Sequence, residues 1–154
     1  MMHDVDPARL FDVFKEIGII EQLSRTRLEA RLPEGLIAPH FAVLSHLINR
    51  GDGAVPIDMA RAFQVPKTSM THTIKGLVKH GFVELRENPD DGRSKRVWLT
   101  DKGRAFRDTT MRAVGGDIME MAADFDVDRL IEILPVLTDL RIWMDAERDK
   151  RDRG

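Results

Sequence analysis

The chain has 154 residues, with 24 Lys and Arg against 26 Asp and Glu for a formal net charge of −2, and it contains no cysteine. Such a length suits one domain, or one small module with an oligomerisation extension, and a chain of this size buries roughly 68–70% of its unfolded surface, so it needs no disulfides or structural metal. The cysteine count excludes disulfides, cysteine-based zinc sites, iron–sulfur clusters and thiol catalysis.

The opening residues, MMHDVDPARL, lack the basic start and apolar centre of a secretory signal. No apolar run reaches the ~18 residues of a membrane span. A cytoplasmic protein is therefore expected, with no membrane partner. From Pro7 to Leu32, Leu10, Phe14 and Ile17, with Phe11, Val13 and Ile20 beside them, follow helical spacing, and Leu23, Leu28 and Leu32 continue the stripe. Pro33-Glu34-Gly35 ends it. A helix of 26 residues spans roughly 39 Å, more than a small domain needs, which suggests that its stripe is buried against a second subunit.

A second helix fits Pro39 to Asn49, with Phe41, Val43, Leu44, Leu47 and Ile48 apolar, and Gly51-Asp52-Gly53 breaks it. A short helix follows Pro56, with Met59, Ala60 and Phe63 inward. The next helix starts at Pro66; Met70, Ile74, Leu77 and Val78 form its apolar face, and Gly81 stops it. Phe82–Arg86 and Arg96–Leu99 read as two short strands joined by a long charged tip of turn formers, Glu87–Lys95. Thr100 is placed to cap a helix running to about Phe125. Asp126 is placed to cap a last helix with Leu130, Ile133, Leu134, Leu137, Leu140 and Trp143 apolar and a kink expected at Pro135. The charged tail, Asp145–Gly154, is expected to fray. The fold class is mainly α with one small β-hairpin, an α+β arrangement in which residues 36–99 form a winged helix-turn-helix part.

The net charge hides a pattern. Residues 1–60 carry 6 basic and 9 acidic side chains, residues 61–107 carry 11 and 5, and residues 108–154 carry 7 and 12, so the nets are −3, +6 and −5. A basic centre between acidic flanks suits a polyanion-binding module carried by something else. Three helices followed by a hairpin can brace one helix so that its outer face enters a major groove ~12 Å wide. Here that face reads Lys67, Thr68, Ser69, Thr71, His72 and Lys75, without an acid between residues 66 and 79. Ser69, Thr71 and His72 are placed for base edges, and Lys67, Lys75, Lys95 and Arg96 for phosphates. The tip adds Arg93, whose fork of donors suits a narrow minor groove. Asp91 is expected to pair with Arg93 or another base and so hold the tip in shape.

On these residues the sequence resembles the MarR (multiple antibiotic resistance regulator) family of transcription factors. Asp91-Gly92-Arg93 followed by Leu99-Thr100-Asp101-Lys102-Gly103 matches that family's D-x-R…L-T-x-x-G wing pattern. Pro66–Thr73 looks like its recognition helix, and Leu77–Val83 like its step into the wing. One departure is Gly92, where the family often has a second Arg. The resemblance implies a regulator, expected to be a repressor, that binds double-stranded DNA as a homodimer. In it, residues 7–33 and 101–147 interlock as dimerisation helices over a pseudo-palindromic operator. It also implies release by a small aromatic or phenolic effector, for which Phe11, Phe14, His40, Phe41 and Leu44 are the candidate lining; plain core packing is the competing reading of these five. Oxidation sensing through a thiol, known in the family, is excluded by the lack of cysteine.

Other chemistries find little support. His40 and His46 are six residues apart, and His3, His72 and His80 show no ligand spacing, so no metal and no cofactor is expected. No G-x-S-x-G, H-E-x-x-H, phosphate loop or dinucleotide pattern occurs. Asp90-Asp91 and Asp124…Asp128 sit where turns and helix ends account for them, so catalysis is not expected. The alternative kept open is a winged-helix module that binds another protein rather than DNA.

Overall fold

In a computed structural model, which describes residues 6–152, the chain forms helices α1 (Pro7–Glu29), α2 (Ala38–Arg50), α3 (Pro56–Ala62) and α4 (Lys67–Lys79), and strands β1 (Val83–Glu87) and β2 (Lys95–Leu99). Helices α5 (Asp101–Asp124) and α6 (Val127–Arg151) complete it. His3 lies outside the described residues. Two compact units divide between Val114 and Gly115. No helix among the described residues is long and apolar enough to cross a membrane.

Helix α1 starts where Asp6 accepts the Ala8 N–H (3.0 Å) and Pro7 takes the first turn, where its missing donor costs nothing. It ends at Glu29, three residues before the expected Leu32, because the chain is needed elsewhere: the Glu29 carboxylate accepts the Ala38 N–H (2.9 Å) and so begins α2, while Leu32 packs on the core. The Ile37 N–H, at the same helix start, is accepted by His40 Nδ1 (3.0 Å). Helix α3 turns its buried Met59 and Ala60 inward, with Phe63 packed beside them.

The buried core is drawn from residues 36–97. Leu44 of α2, Leu77 of α4 and Val97 of β2 are 0% exposed, so three elements meet at its centre. Buried positions on α4 run Met70, Thr73, Ile74, Leu77, the i, i+3, i+4, i+7 stripe of a half-buried helix. Val78 is 40% exposed, contrary to the face expected for it, whereas Thr73, on the opposite flank of the stripe, is buried, its hydroxyl donating to the Ser69 carbonyl (3.1 Å).

β1 and β2 pair antiparallel from Val83↔Leu99 to Glu87↔Lys95. β1 is shifted one residue from expectation, since Phe82 is claimed by the core, stacked on Phe106 at 4.4 Å, and β2 begins one residue earlier than expected, where Lys95 pairs with Glu87. The Gly51–Gly53 break does more than stop α2: Ala54 bridges to Val97, adding a third short edge to the hairpin. Thr100 closes the hairpin onto α5. Its hydroxyl donates to the Gly81 carbonyl (2.7 Å) and accepts the Gly103 N–H (3.0 Å), so one side chain caps a helix and ties it to the preceding turn.

Helix α6 begins after Asp126, whose side chain makes no capping bond, and it continues through Pro135. The tail expected to fray is helical to Arg151. Pairs three or four residues apart account for this: Arg141–Asp145, Lys150–Glu147 and Arg148–Asp152, each worth a few tenths of a kcal/mol. Neither α1 nor α6 buries a single residue, although Phe11, Ile20 and Leu23 on the one and Ile131, Val136 and Trp143 on the other are more than half exposed.

Candidate DNA-binding surface

Helix α4 opens at Pro66, whose backbone (φ −59°, ψ 147°) is extended and supplies no side-chain cap. The helix carries no acidic residue. With Met70, Ile74 and Leu77 turned inward, geometry forces Lys67, Thr68, Ser69, His72 and Lys75 outward, and all five are exposed. Thr71 is half-buried and its hydroxyl donates to the Lys67 carbonyl (2.9 Å).

The seven-residue segment between β1 and β2 is folded around Asn88, a residue sequence reasoning did not single out. Asn88 is 7% exposed. Its Oδ1 accepts the Asp90 N–H (3.1 Å) and Arg96 Nε (3.1 Å), and its Nδ2 donates to Ser94 Oγ (2.9 Å). Asp91 does not pair with the Arg93 side chain, as was expected. Its carboxylate accepts the Arg93 backbone N–H (2.9 Å), a local turn that fixes the main chain and leaves the guanidinium free to project. Arg96 pairs with Asp90 (2.6 Å), and Lys95 is bonded to Glu87 across the strands. Arg86 reaches Glu84 (2.5 Å) and lies 4.0 Å over the Trp98 ring. Among the described residues, Lys67, Lys75 and Arg93 have no ion-pair partner.

A groove of about 510 Å³ runs between α4 and the wing. Its walls carry Lys67, Thr71 and Lys75 from α4, and Asp91, Arg93, Ser94 and Lys95 from the tip. Val55, Pro56 and Ile57 at the start of α3, with Ile74 and Leu85, make the remainder apolar. The structure thus gathers Lys67, Thr71, Lys75, Asp91, Arg93 and Lys95 around one opening. Thr68, Ser69 and His72 stand on the exposed side of α4 outside that lining, and Arg96 is turned toward Asn88 and Asp90. The apolar part was hidden from sequence reasoning because no local pattern says that Ile57 and Leu85 are left exposed beside the tip.

The five effector candidates are distributed differently. His40 (7%) and Leu44 (0%) are buried beneath α4, Phe41 is half-buried, and Phe11 (67%) and Phe14 (38%) stand exposed on α1. His40 lies against Gly76 so closely that a Cβ there would fall 2.7 Å from its Nε2. Burial lowers its pKa from 6.5, and the nearby charges of His80 and His72 act in the same direction. His46, packed edge-on to Phe63 at 5.3 Å, is lowered by burial and by Arg50. Among the described residues no group of three His, Asp or Glu is placed to hold a metal ion.

Residues 34–94, which span this surface, match the sequence profile of the MarR family. The chain is 27% identical over 130 residues to the HTH-type transcriptional repressor YetL of Bacillus subtilis, covering 81% of this chain and 74% of that one. Its fold is shared with a crystal structure of a MarR mutant from E. coli complexed with operator DNA, at TM-score 0.72, 24% identity, and 86% and 95% coverage of the two chains. It is shared also with an organohalide-sensing transcriptional regulator in its 2,4-dichlorophenol-bound form, at TM-score 0.69 and 19% identity, with 92% and 83% covered.

Proposed function

We propose that the chain is a transcriptional regulator of the MarR family, whose profile residues 34–94 match, and that it is a sequence-specific repressor acting as a homodimer on a pseudo-palindromic operator. The observation that carries this reading is the convergence of unpaired cations, Lys67 and Lys75 from one element and Arg93 from another, around one groove beside an acid-free helix face. Residues 36–99 supply the contact. The exposed face of α4 enters the major groove, with Ser69, Thr71 and His72 toward base edges and Thr68 beside them. Lys67 and Lys75 meet phosphates, and Arg93 reaches the adjacent minor groove.

Residues 7–33 and 101–147 supply the dimer. The apolar side chains left exposed on α1 and on α6 support this: a folded monomer rarely leaves so many uncovered. Each large side chain buried against a partner contributes about 1.5–3 kcal/mol. Two subunits then present two winged parts to half-sites ~10–10.5 bp apart.

Selection of duplexes from a randomised pool by the purified protein tests the reading. A recovered pseudo-palindrome bound far more tightly than random duplex supports it. No enrichment at low salt overturns it and favours the protein-binding alternative. The reading extends to a small aromatic or phenolic effector received by Phe11, Phe14, His40, Phe41 and Leu44, in a cytoplasmic protein. The dichlorophenol-bound form of a regulator with the same fold supports that extension. Addition of 2,4-dichlorophenol should raise the unfolding temperature and weaken binding to the selected duplex; no change in either refutes the effector.

A further inference from the structure

We propose that Asn88 and Arg96 form a clamp that sets the wing tip and holds Arg93 out for DNA, so that Arg96 is a positioning residue and not a phosphate contact. The proposal rests on reading the α4–wing surface as a DNA-binding face. Asn88 follows the last ladder pair of the hairpin, Glu87↔Lys95, at the point where backbone pairing stops and the tip must be held by something else. Its side chain and carbonyl supply that hold. Asp90, Ser94 and Arg96 bond to the side chain, and the Asp91 N–H bonds to the carbonyl at 3.3 Å. A group this buried is costly to leave unpaired, so its partners are fixed along with it.

Arg96 completes the arrangement from the other strand. Nε donates to Asn88 and Nη2 to Asp90, so the fork grips two residues, eight and six positions back. Its stem runs beside Gly53, and the side chain is 32% exposed. The Asp90 carboxylate already neutralises this guanidinium at 2.6 Å, and a phosphate would have to displace it. Arg93 is the opposite case. Its backbone N–H is anchored by Asp91, the next residue's N–H bonds back to the Asp91 carbonyl (3.2 Å), and its guanidinium has no partner among the described residues. The main chain on both sides of Arg93 is fixed and its side chain is left for a ligand. Lysine at position 96 would keep the charge but lose the planar fork that bonds both acceptors.

The test uses the full-length protein and a duplex that the wild-type protein selects from a randomised pool, with log Kd followed against log salt. Removal of one phosphate-neutralising charge from each of two subunits flattens that slope by about 2, at roughly 0.9 per charge. Arg93→Ala sets this reference. Under the clamp, Arg96→Lys and the uncharged deletion Asn88→Ala both flatten the slope as much as Arg93→Ala, and neither adds anything in the Arg93→Ala background. Wild-type affinity and slope for Arg96→Lys overturn the proposal, since a phosphate contact is satisfied by any point charge. So does an added loss when Arg96→Lys is combined with Arg93→Ala. Thermal unfolding is measured on every variant; if Asn88→Ala fails to fold, Arg96→Lys decides alone. Failure of the wild-type protein to select any duplex is a separate outcome and removes the DNA-binding reading itself.

Discussion

Alanine at position 103 tests whether the junction between the wing and α5 is as tight as its geometry states. A Cβ built on Gly103 lies 2.1 Å from the Phe82 carbonyl oxygen, 2.9 Å from its carbon and 3.1 Å from Leu99 Cδ1. Two of these are backbone atoms and cannot rotate away, so α5 must withdraw by more than an ångström. That movement stretches the Thr100 N–H to Phe82 carbonyl bond (3.1 Å), the Thr100 hydroxyl to Gly81 carbonyl bond (2.7 Å) and the Phe82–Phe106 stack. Two hydrogen bonds at about 1 kcal/mol each and an overpacking cost of about 1–3 kcal/mol oppose a gain of about 1 kcal/mol from replacing a helical glycine. The net loss is about 2–4 kcal/mol, or a fall of roughly 4–16 °C in Tm at ~2–4 °C per kcal/mol. Urea unfolding followed by circular dichroism measures it. Gly116→Ala, on the same helix with no atom within 4 Å in the chain, is the control and should gain up to about 1 kcal/mol. If Gly103→Ala is as stable as the wild type, the close approach is wrong.

The other expectations are smaller or act elsewhere. Thr100→Val removes a helix cap and a bond to Gly81 and should cost about 1–2 kcal/mol in the same urea assay. His40 is held below its ordinary pKa of 6.5 by burial, so the folded state favours the neutral ring. The stability this provides is full above pH 6.5 and is lost as pH falls toward the lowered folded value. His40→Gln should reduce the pH dependence of the urea midpoint between pH 8 and 5, leaving the part due to His46, which burial shifts the same way. Gly92 has open space around it, so Gly92→Arg should fold normally and steepen the salt dependence of DNA binding by about 2 for two subunits. Trp143→Glu, on the exposed apolar side of α6, should shift the sedimentation coefficient from dimer toward monomer while the core of residues 36–97 stays folded.

Sequence pattern located every helix and the hairpin, because each is announced by a periodicity or by a breaker that acts locally: Pro56, Pro66 and Gly81 mark ends that no tertiary contact has to explain. What escaped it depends on contacts between distant residues. Whether Val78 or Thr73 faces the core cannot be decided from spacing, since both sit next to the Met70–Ile74–Leu77 stripe and only the packing of α2 against α4 chooses. The Ala54–Val97 bridge joins segments 43 positions apart, and a Gly-rich break gives no hint of it. Helix α6 outlasted its expected fraying because a charged tail reads as solvated until its charges are seen to alternate at pairing distance along a helix. The exposed face of α4 was legible because an acid-free run of polar residues shows in composition directly. The wing was legible only as a motif. Asp91 was expected to shape the tip through a side-chain pair and does so through the Arg93 backbone N–H instead, while the organiser, Asn88, resembled any other turn residue.

Those acids also change what the basic centre means. Residues 61–107 carry a net of +6, but three of their five acids are bonded to their own cations: Glu84 to Arg86, Glu87 to Lys95 and Asp90 to Arg96. Exposed pairs are individually weak, yet a phosphate must displace a carboxylate to use any of these bases, whereas Lys67, Lys75 and Arg93 are open to it. On the proposed DNA-binding reading, the charge left to face a duplex is three per subunit around the groove, or six in the proposed dimer. At roughly 0.9 per neutralised phosphate, binding should fall with salt along a slope of about −5. If Lys95 and Arg96 also left their carboxylates for phosphates, ten charges would give about −9. A salt titration between 50 and 200 mM on the selected duplex separates the two, and a slope near −9 would mean that the wing opens its ion pairs on DNA, against the clamp inferred from Asn88 and Arg96.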